Sequence, residues 1–159
     1  MIDKYILFSV AGTVYALPTE RIAHIEMVEH VTRVPNAPRF VDGVVFSRGE
    51  VVPAVSLRAR FGFERAAFDT RTRLIVVRSG SRVVGLIVDA AREFTTIPES
   101  AIKPPHDAIT GLSGEYLRGI ATLADRLIVV LDIDAILDAT AQALTIPETL
   151  PAPSSQEIR

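Results

Sequence analysis

Apolar residues along this chain fall in short runs, and nearly every run is closed by Gly, Pro, Ser or Asp. Residues 5–10, 14–17, 22–28, 44–46 and 51–57 make a first set, and 74–77, 83–88, 94–97, 119–123 and 127–131 a second. Runs of this length, rich in Val and Ile, predict β-strands. Many short strands at regular spacing predict a sandwich or small barrels. One helical pattern stands near the end, where Asp134 is placed to cap AILDATAQAL, with Ile136, Leu137, Thr140 and Leu144 near one face. A single helical turn is predicted over residues 39–42, just before Gly43.

The two strand sets look like copies. GVVFSRGEVVPAVSL opens at Gly43 and GIATLADRLIVVLDI at Gly119; in both, an aliphatic side chain falls at the same late position, Leu57 and Ile133. YILFSVAGTVYALP and RLIVVRSGSRVVGLIV share a Gly-containing hairpin turn in the same way. The expectation is an all-β domain over residues 1–145, built of two similar barrels at about 1–62 and 73–133 with room for strand exchange. Residues 61–72 would cross between them, and the Pro- and Ser-rich segment 146–159 would be a disordered tail. Between two of the apolar runs, Arg48-Gly49-Glu50 has the short-loop signature of a β-hairpin, with Gly49 free to take positive φ. An arginine on a rigid tip suits the docking of a partner.

Composition narrows the classes. At 159 residues the chain is about one domain, and with no Cys it has neither disulfides nor thiolate chemistry. Lys and Arg total 17 against 19 Asp and Glu, so no net field attracts a polyanion or a membrane surface. No apolar run approaches the length of a membrane span, and the start, MIDKYILFSVAG, is too short for a signal peptide. The expected setting is cytoplasmic.

Candidate chemistry is thin. His24, Glu26 and His30 invite a metal, and alternation puts all three on one strand face. At about 3.3 Å per residue, however, the two imidazoles would stand roughly 20 Å apart in a straight strand. Asp132 and Asp134 form a D-x-D at a strand end, where turn and cap roles account for both. Ser113 within TGLSG, near His106, lacks the spacing and setting of a nucleophile turn. No phosphate-cradling glycine motif occurs, so no cofactor is expected. Arginines 58, 60, 65, 71, 73, 78 and 82, near Phe61, Phe63 and Phe68, would fit a nucleic-acid surface. They fit equally as strand-end charges paired with Glu64, Asp69 and Asp89. What remains is a scaffold that binds rather than reacts.

Five segments carry a resemblance: FSVAGTVYALP, VPNAPRFVDGVV, RGEVVPAVSLRARFG, VVGLIVDAA and EYLRGIATLADRLIVVLDIDAIL. In this order and spacing the chain resembles the CheW family of bacterial chemotaxis coupling proteins. The resemblance implies two intertwined five-stranded SH3-like barrels with a short C-terminal helix, and a non-enzymatic adaptor without a cofactor or a metal. The implied partners are the cytoplasmic tip of a methyl-accepting receptor, a CheA-type histidine kinase and, within arrays at the membrane, further couplers. Matched residue by residue, Arg48 with Gly49, Ile22, His24, Gly85 and Phe94 fall on the family's receptor groove, and Lys103 and Asp107 on its kinase-facing loop.

Three positions depart from the family's usual pattern. Phe46-Ser47 stands where Asn-Leu precedes Arg-Gly, Ser56 where Asp precedes Leu-Arg, and His24 where the groove has glutamate. They suggest a coupler tuned to a particular receptor class, with a histidine able to make binding pH-dependent. Rival readings are a CheW-like scaffold of a motility or developmental pathway, a nucleic-acid-binding small barrel, and a small enzyme.

Overall fold

The computed structural model describes the backbone of residues 2–104 and 116–145, and the side chains of 4–104 and 116–140. The first half of the chain contributes β1 (Ile2–Val10), β2 (Thr13–Pro18), β3 (Ile22–Met27), β4 (Val41–Ser47), β5 (Glu50–Ser56) and the one-turn helix α1 (Leu57–Arg60). The second half repeats the order with β6 (Arg73–Ser79), β7 (Arg82–Val88), β8 (Ala90–Pro98), β9 (Ile102–Lys103), β10 (Leu117–Leu123), β11 (Arg126–Leu131) and the helix α2 (Ile133–Thr145). A 3₁₀ turn follows β2 at Thr19–Arg21 and another follows β8 at Glu99–Ala101.

The halves are intertwined. One sheet has the order β3-β6-β7-β5-β4 and the other β8-β1-β2-β11-β10-β9. Each sheet therefore receives its opening hairpin from the opposite half of the chain. The exchanged hairpins are sewn in by the two parallel pairings, β5 with β7 and β11 with β2.

Strand alternation sorts the apolar residues into three cores. Val45, Val52, Ala54, Leu74, Val76 and Ile87 fill the concave side of the first sheet, and Tyr5, Leu7, Ala16, Ile97, Ile128 and Val130 that of the second. The opposite faces meet, so Ile75, Val77 and Leu86 of one sheet pack with Phe8, Val10 and Leu17 of the other. Ile133, Ile136 and Leu137 of α2 seal this central core. Burial of large aliphatic side chains, worth about 1.5–3 kcal/mol each, thus ties the sheets to each other as well as closing each one.

Several local expectations are corrected. Residues 39–42 do not form a helical turn: Val41 N–H bonds Pro38 O at 2.9 Å, and β4 already begins at Val41. Leu57, read as a strand end, opens α1, because Ser56 Oγ accepts Ala59 N–H at 3.2 Å and caps it. The cap of α2 is Asp132, whose Oδ1 accepts Ala135 N–H at 3.1 Å, and Asp134 lies inside the first turn. The two-residue strand β9 was too short to leave an apolar run. Gly43 and Gly119 mark one crossing in both halves: a Cβ there would lie 2.1 Å from Thr32 O and 2.4 Å from Lys103 O, respectively. The expected tail at 146–159 and the loop carrying His106, Asp107 and Ser113 lie outside the described residues.

Candidate protein-protein interface

The β4–β5 hairpin closes with a two-residue loop in which Arg48 has φ +48° and Gly49 φ +86°. Two positive φ values are what a type I′ turn requires, and its twist matches that of the paired strands. Glycine meets this demand freely; arginine does so against a left-handed backbone that is disfavoured for L-residues by roughly 1–2 kcal/mol. Among the described residues Arg48 has no hydrogen-bond or ion-pair partner, and it is exposed. Directly behind the tip, Phe46 and Val51 are cross-strand partners that are 76% and 61% exposed. The hairpin thus presents a guanidinium over an uncovered aromatic–aliphatic pair, the residue mix that anchors protein interfaces.

Alongside runs a shallow cleft of about 420 Å³, bounded by Glu26, Met27, His30, Thr32, Val45 and Phe46. A larger cleft of about 860 Å³ sits at the other end of β4, lined by Arg33, Asn36, Arg39, Arg65 and Phe68. It lies away from the tip, and its wall is fixed by Arg65 Nε donating to Asp42 Oδ1 at 2.8 Å.

The remaining residues matched to the receptor groove scatter. His24 lies on β3 with its side chain turned toward β4, where Nε2 is 2.8 Å from Ser47 Oγ and 3.2 Å from Glu26 Oε2; Ser47 Oγ also donates to Glu26. Ile22, two residues earlier, faces the other way: a register shift between Ile22 and His24 turns it onto the central core, opposite Val77. Strict alternation would have placed the two together. Gly85 is buried in β7, and a Cβ there would meet Leu74 Cδ1 at 2.7 Å, so packing accounts for this glycine. Phe94 belongs to the other sheet, on β8 opposite Ile6 of β1, and is 64% exposed. Lys103 is exposed on β9, while Asp107 lies outside the described residues.

Sequence reasoning took Arg48 and passed over Phe46, Val51 and Ser47. The signal for the first two was present: with Val45 and Val52 facing inward, alternation sends Phe46 and Val51 outward.

The arginine-rich surface is internally committed. Arg58 grips Asp89 through two bonds, Arg78 meets Glu50 at 2.5 Å and Arg82 meets Asp138. Arg73 donates to the carbonyls of Thr70 and Thr72, and the Arg60 guanidinium lies 4.4 Å from the Phe40 ring centroid and 4.6 Å from that of Tyr116. Of the expected acidic partners only Asp89 takes an arginine side chain by its carboxylate; Glu64 offers Arg58 its carbonyl and Asp69 accepts the Arg71 N–H. Cations spent on neighbouring carboxylates leave little for phosphates.

Two exchanged sheets, a rigid basic tip and an uncovered apolar pair define an all-β binding scaffold. The chain belongs to the CheW-like domain family, whose family model matches residues 4–141. It is 30% identical over 142 residues to Chemotaxis protein CheW of Klebsiella aerogenes, covering 89% of this chain and 86% of that one. It is 32% identical over 134 residues to that of Helicobacter pylori, covering 84% and 81%. Protein FrzA of Myxococcus xanthus is 31% identical over 103 residues, or 65% of this chain and 64% of the relative. Among solved structures, scaffolding protein TtCheW of Thermoanaerobacter tengcongensis superposes with a TM-score of 0.76 at 30% identity, covering 83% of this chain and 90% of that one. Among the described residues no helix is long and apolar enough to cross a membrane.

Proposed function

We propose that this protein is a chemotaxis coupling scaffold that joins methyl-accepting receptors to a CheA-type histidine kinase, with the Arg48 hairpin as its receptor contact. The observation that carries the site is the tip itself: an exposed arginine with no partner among the described residues, above the exposed Phe46–Val51 pair. The turn geometry holds the guanidinium out from the sheet, where a partner can reach it. The kinase contact is assigned to Lys103 and Asp107, on the family resemblance. Coupling then works by contact, with receptor state favouring one arrangement of scaffold and kinase over another.

Purified receptor cytoplasmic fragment and kinase regulatory domain, each from the source organism, test this by pull-down. Arg48→Asn is the sharper probe than Arg48→Ala, since asparagine tolerates the left-handed backbone and removes only the guanidinium. Both variants should fold with stability within about 1 kcal/mol of the parent, lose receptor capture and keep kinase capture. Equal loss of both partners, or of neither, would refute the assignment. The match to Protein FrzA supports a second reading, the same scaffold in a chemosensory pathway outside taxis. Capture of a non-taxis receptor and kinase in place of the chemotaxis pair would favour it.

A further inference from the structure

His24 and Ser47, both noted in the sequence as departures from the pattern the chain resembles, touch each other, with Nε2 2.8 Å from Oγ. They do so on strands with no backbone hydrogen bond between them: β3 and β4 are the two edges of their sheet. Ser47 is 2% exposed, immediately precedes Arg48, and gives its hydroxyl proton to Glu26 on β3. With that proton committed, Ser47 Oγ can only accept from His24, so Nε2 carries a hydrogen, which also points toward Glu26 Oε2 at 3.2 Å. Beyond β3, the segment that follows it meets β4 once more, where Thr32 and Val44 exchange backbone bonds of 2.8 and 2.9 Å in an isolated bridge.

We propose that His24, Ser47 and Glu26 form a polar clasp that closes the edge strands of this sheet and sets the angle of the Arg48 hairpin, making them positioning residues for partner binding. The inference rests on the reading of Arg48 as the receptor contact. Geometry gives the clasp its effect. Arg48 lies one residue beyond Ser47, and Phe46 one residue before it, so a rotation of the β4 end displaces both halves of the binding tip. The second half of the chain supplies an internal contrast. There the β10–β11 hairpin turns at Ala124-Asp125, also with positive φ, and Leu123 occupies the place of Ser47. Leu123 offers no hydroxyl, and the charged contact at that base is instead Arg126 Nη2 with Glu93 Oε2 of β8 at 3.7 Å.

Amide hydrogen exchange followed by NMR, together with receptor-fragment affinity, tests the clasp on the full chain. In His24→Ala and Ser47→Ala, the Glu50 amide that closes the hairpin should exchange about tenfold faster, while the Arg126 amide of the other hairpin stays unchanged. Receptor affinity should fall by about threefold in both alanine variants, and His24→Gln, which keeps a donor, should restore slow exchange. Unchanged exchange in both alanine variants would overturn the clasp. So would global acceleration that includes Arg126, since that reports unfolding rather than positioning. Arg48→Asn runs beside them: if it leaves receptor affinity intact, the receptor reading fails while exchange still judges the clasp. If it destroys affinity while Ser47→Ala and His24→Ala do not alter it, the clasp fails and the receptor reading stands.

Discussion

Asp89 sits where the chain leaves the first sheet for the second, between β7 and β8, and its side chain ties three elements together. Oδ1 and Oδ2 accept from Arg58 Nε and Nη2 of α1 at 2.9 and 2.8 Å, and Oδ2 accepts Ala11 N–H in the β1–β2 turn at 2.8 Å. Its own N–H bonds Ser9 O at 2.9 Å. Asp89→Ala removes all three side-chain bonds. The Arg58 pair is partly exposed, so its loss costs about 1 kcal/mol. Stranding the Ala11 N–H, in a turn residue with φ +50°, adds about 1–3 kcal/mol. The sum is on the order of 2–4 kcal/mol, a drop in Tm of roughly 5–15 °C for a chain of this size.

The same contacts make the effect pH-dependent. Burial alone would raise the Asp89 carboxyl, but the Arg58 hydrogen bonds, the Ala11 N–H and the charges of Arg58 and Arg71 outweigh it and hold it below the usual carboxylate range. A depressed folded value contributes stability that is present above the unfolded value of about 3.9 and is lost as pH falls through the folded one. Melts of the parent and Asp89→Asn should therefore differ by about 1–3 kcal/mol at pH 7 and converge as pH falls through the depressed folded value. A difference under about 0.5 kcal/mol at pH 7, or one that persists at low pH, would refute the account.

Gly43→Ala should fail to give soluble protein, because the new Cβ would lie 2.1 Å from a backbone oxygen that two strands hold in place; a normal yield and melt would contradict the crossing. Asp132→Ala should lower stability by about 1 kcal/mol through loss of the α2 cap, and Asp134→Ala by less, since its contacts with Arg21 and Arg82 are exposed; urea unfolding separates the two, and the reverse ranking would restore Asp134 as the cap. Phe46→Ser with Val51→Ser should leave Tm within a few degrees, because both side chains already face water, yet weaken receptor-fragment binding at least tenfold by titration calorimetry; unchanged binding would remove the apolar pair from the interface.

Much of this architecture was legible because strand periodicity is local. The alternation at 44–46 and 51–57, the hairpin at Arg48-Gly49 and the aliphatic residues Leu57 and Ile133 at matching places each follow from spacing alone. What escaped depended on neighbours distant in sequence. The register shift that separates Ile22 from His24 arises from pairing with β6, some fifty residues on, and leaves no local mark. The helix caps were misplaced by two residues at Asp134 because both aspartates of a D-x-D are competent caps, and the choice falls to whichever oxygen the N–H two residues into the helix meets. Gly85 reads as a groove glycine from its place in a familiar segment and as a packing glycine once Leu74 is seen beside it.

Exchange of the hairpins explains how a chain of short strands becomes a stiff coupler. In a tandem of two independent barrels, the sheets would be joined by one crossing segment, and their relative angle would follow its flexibility. Here the chain crosses between the sheets twice, after β2 and after β7, and each sheet is completed only by a hairpin from the opposite half. Turning one sheet against the other must then break parallel strand pairs or pull Phe8, Val10 and Leu17 off Ile75, Val77 and Leu86. Interfaces of this kind have discrete arrangements rather than a continuum. A load on the Arg48 hairpin of one sheet would therefore reach the other sheet through this shared core and the parallel pairs rather than through a hinge.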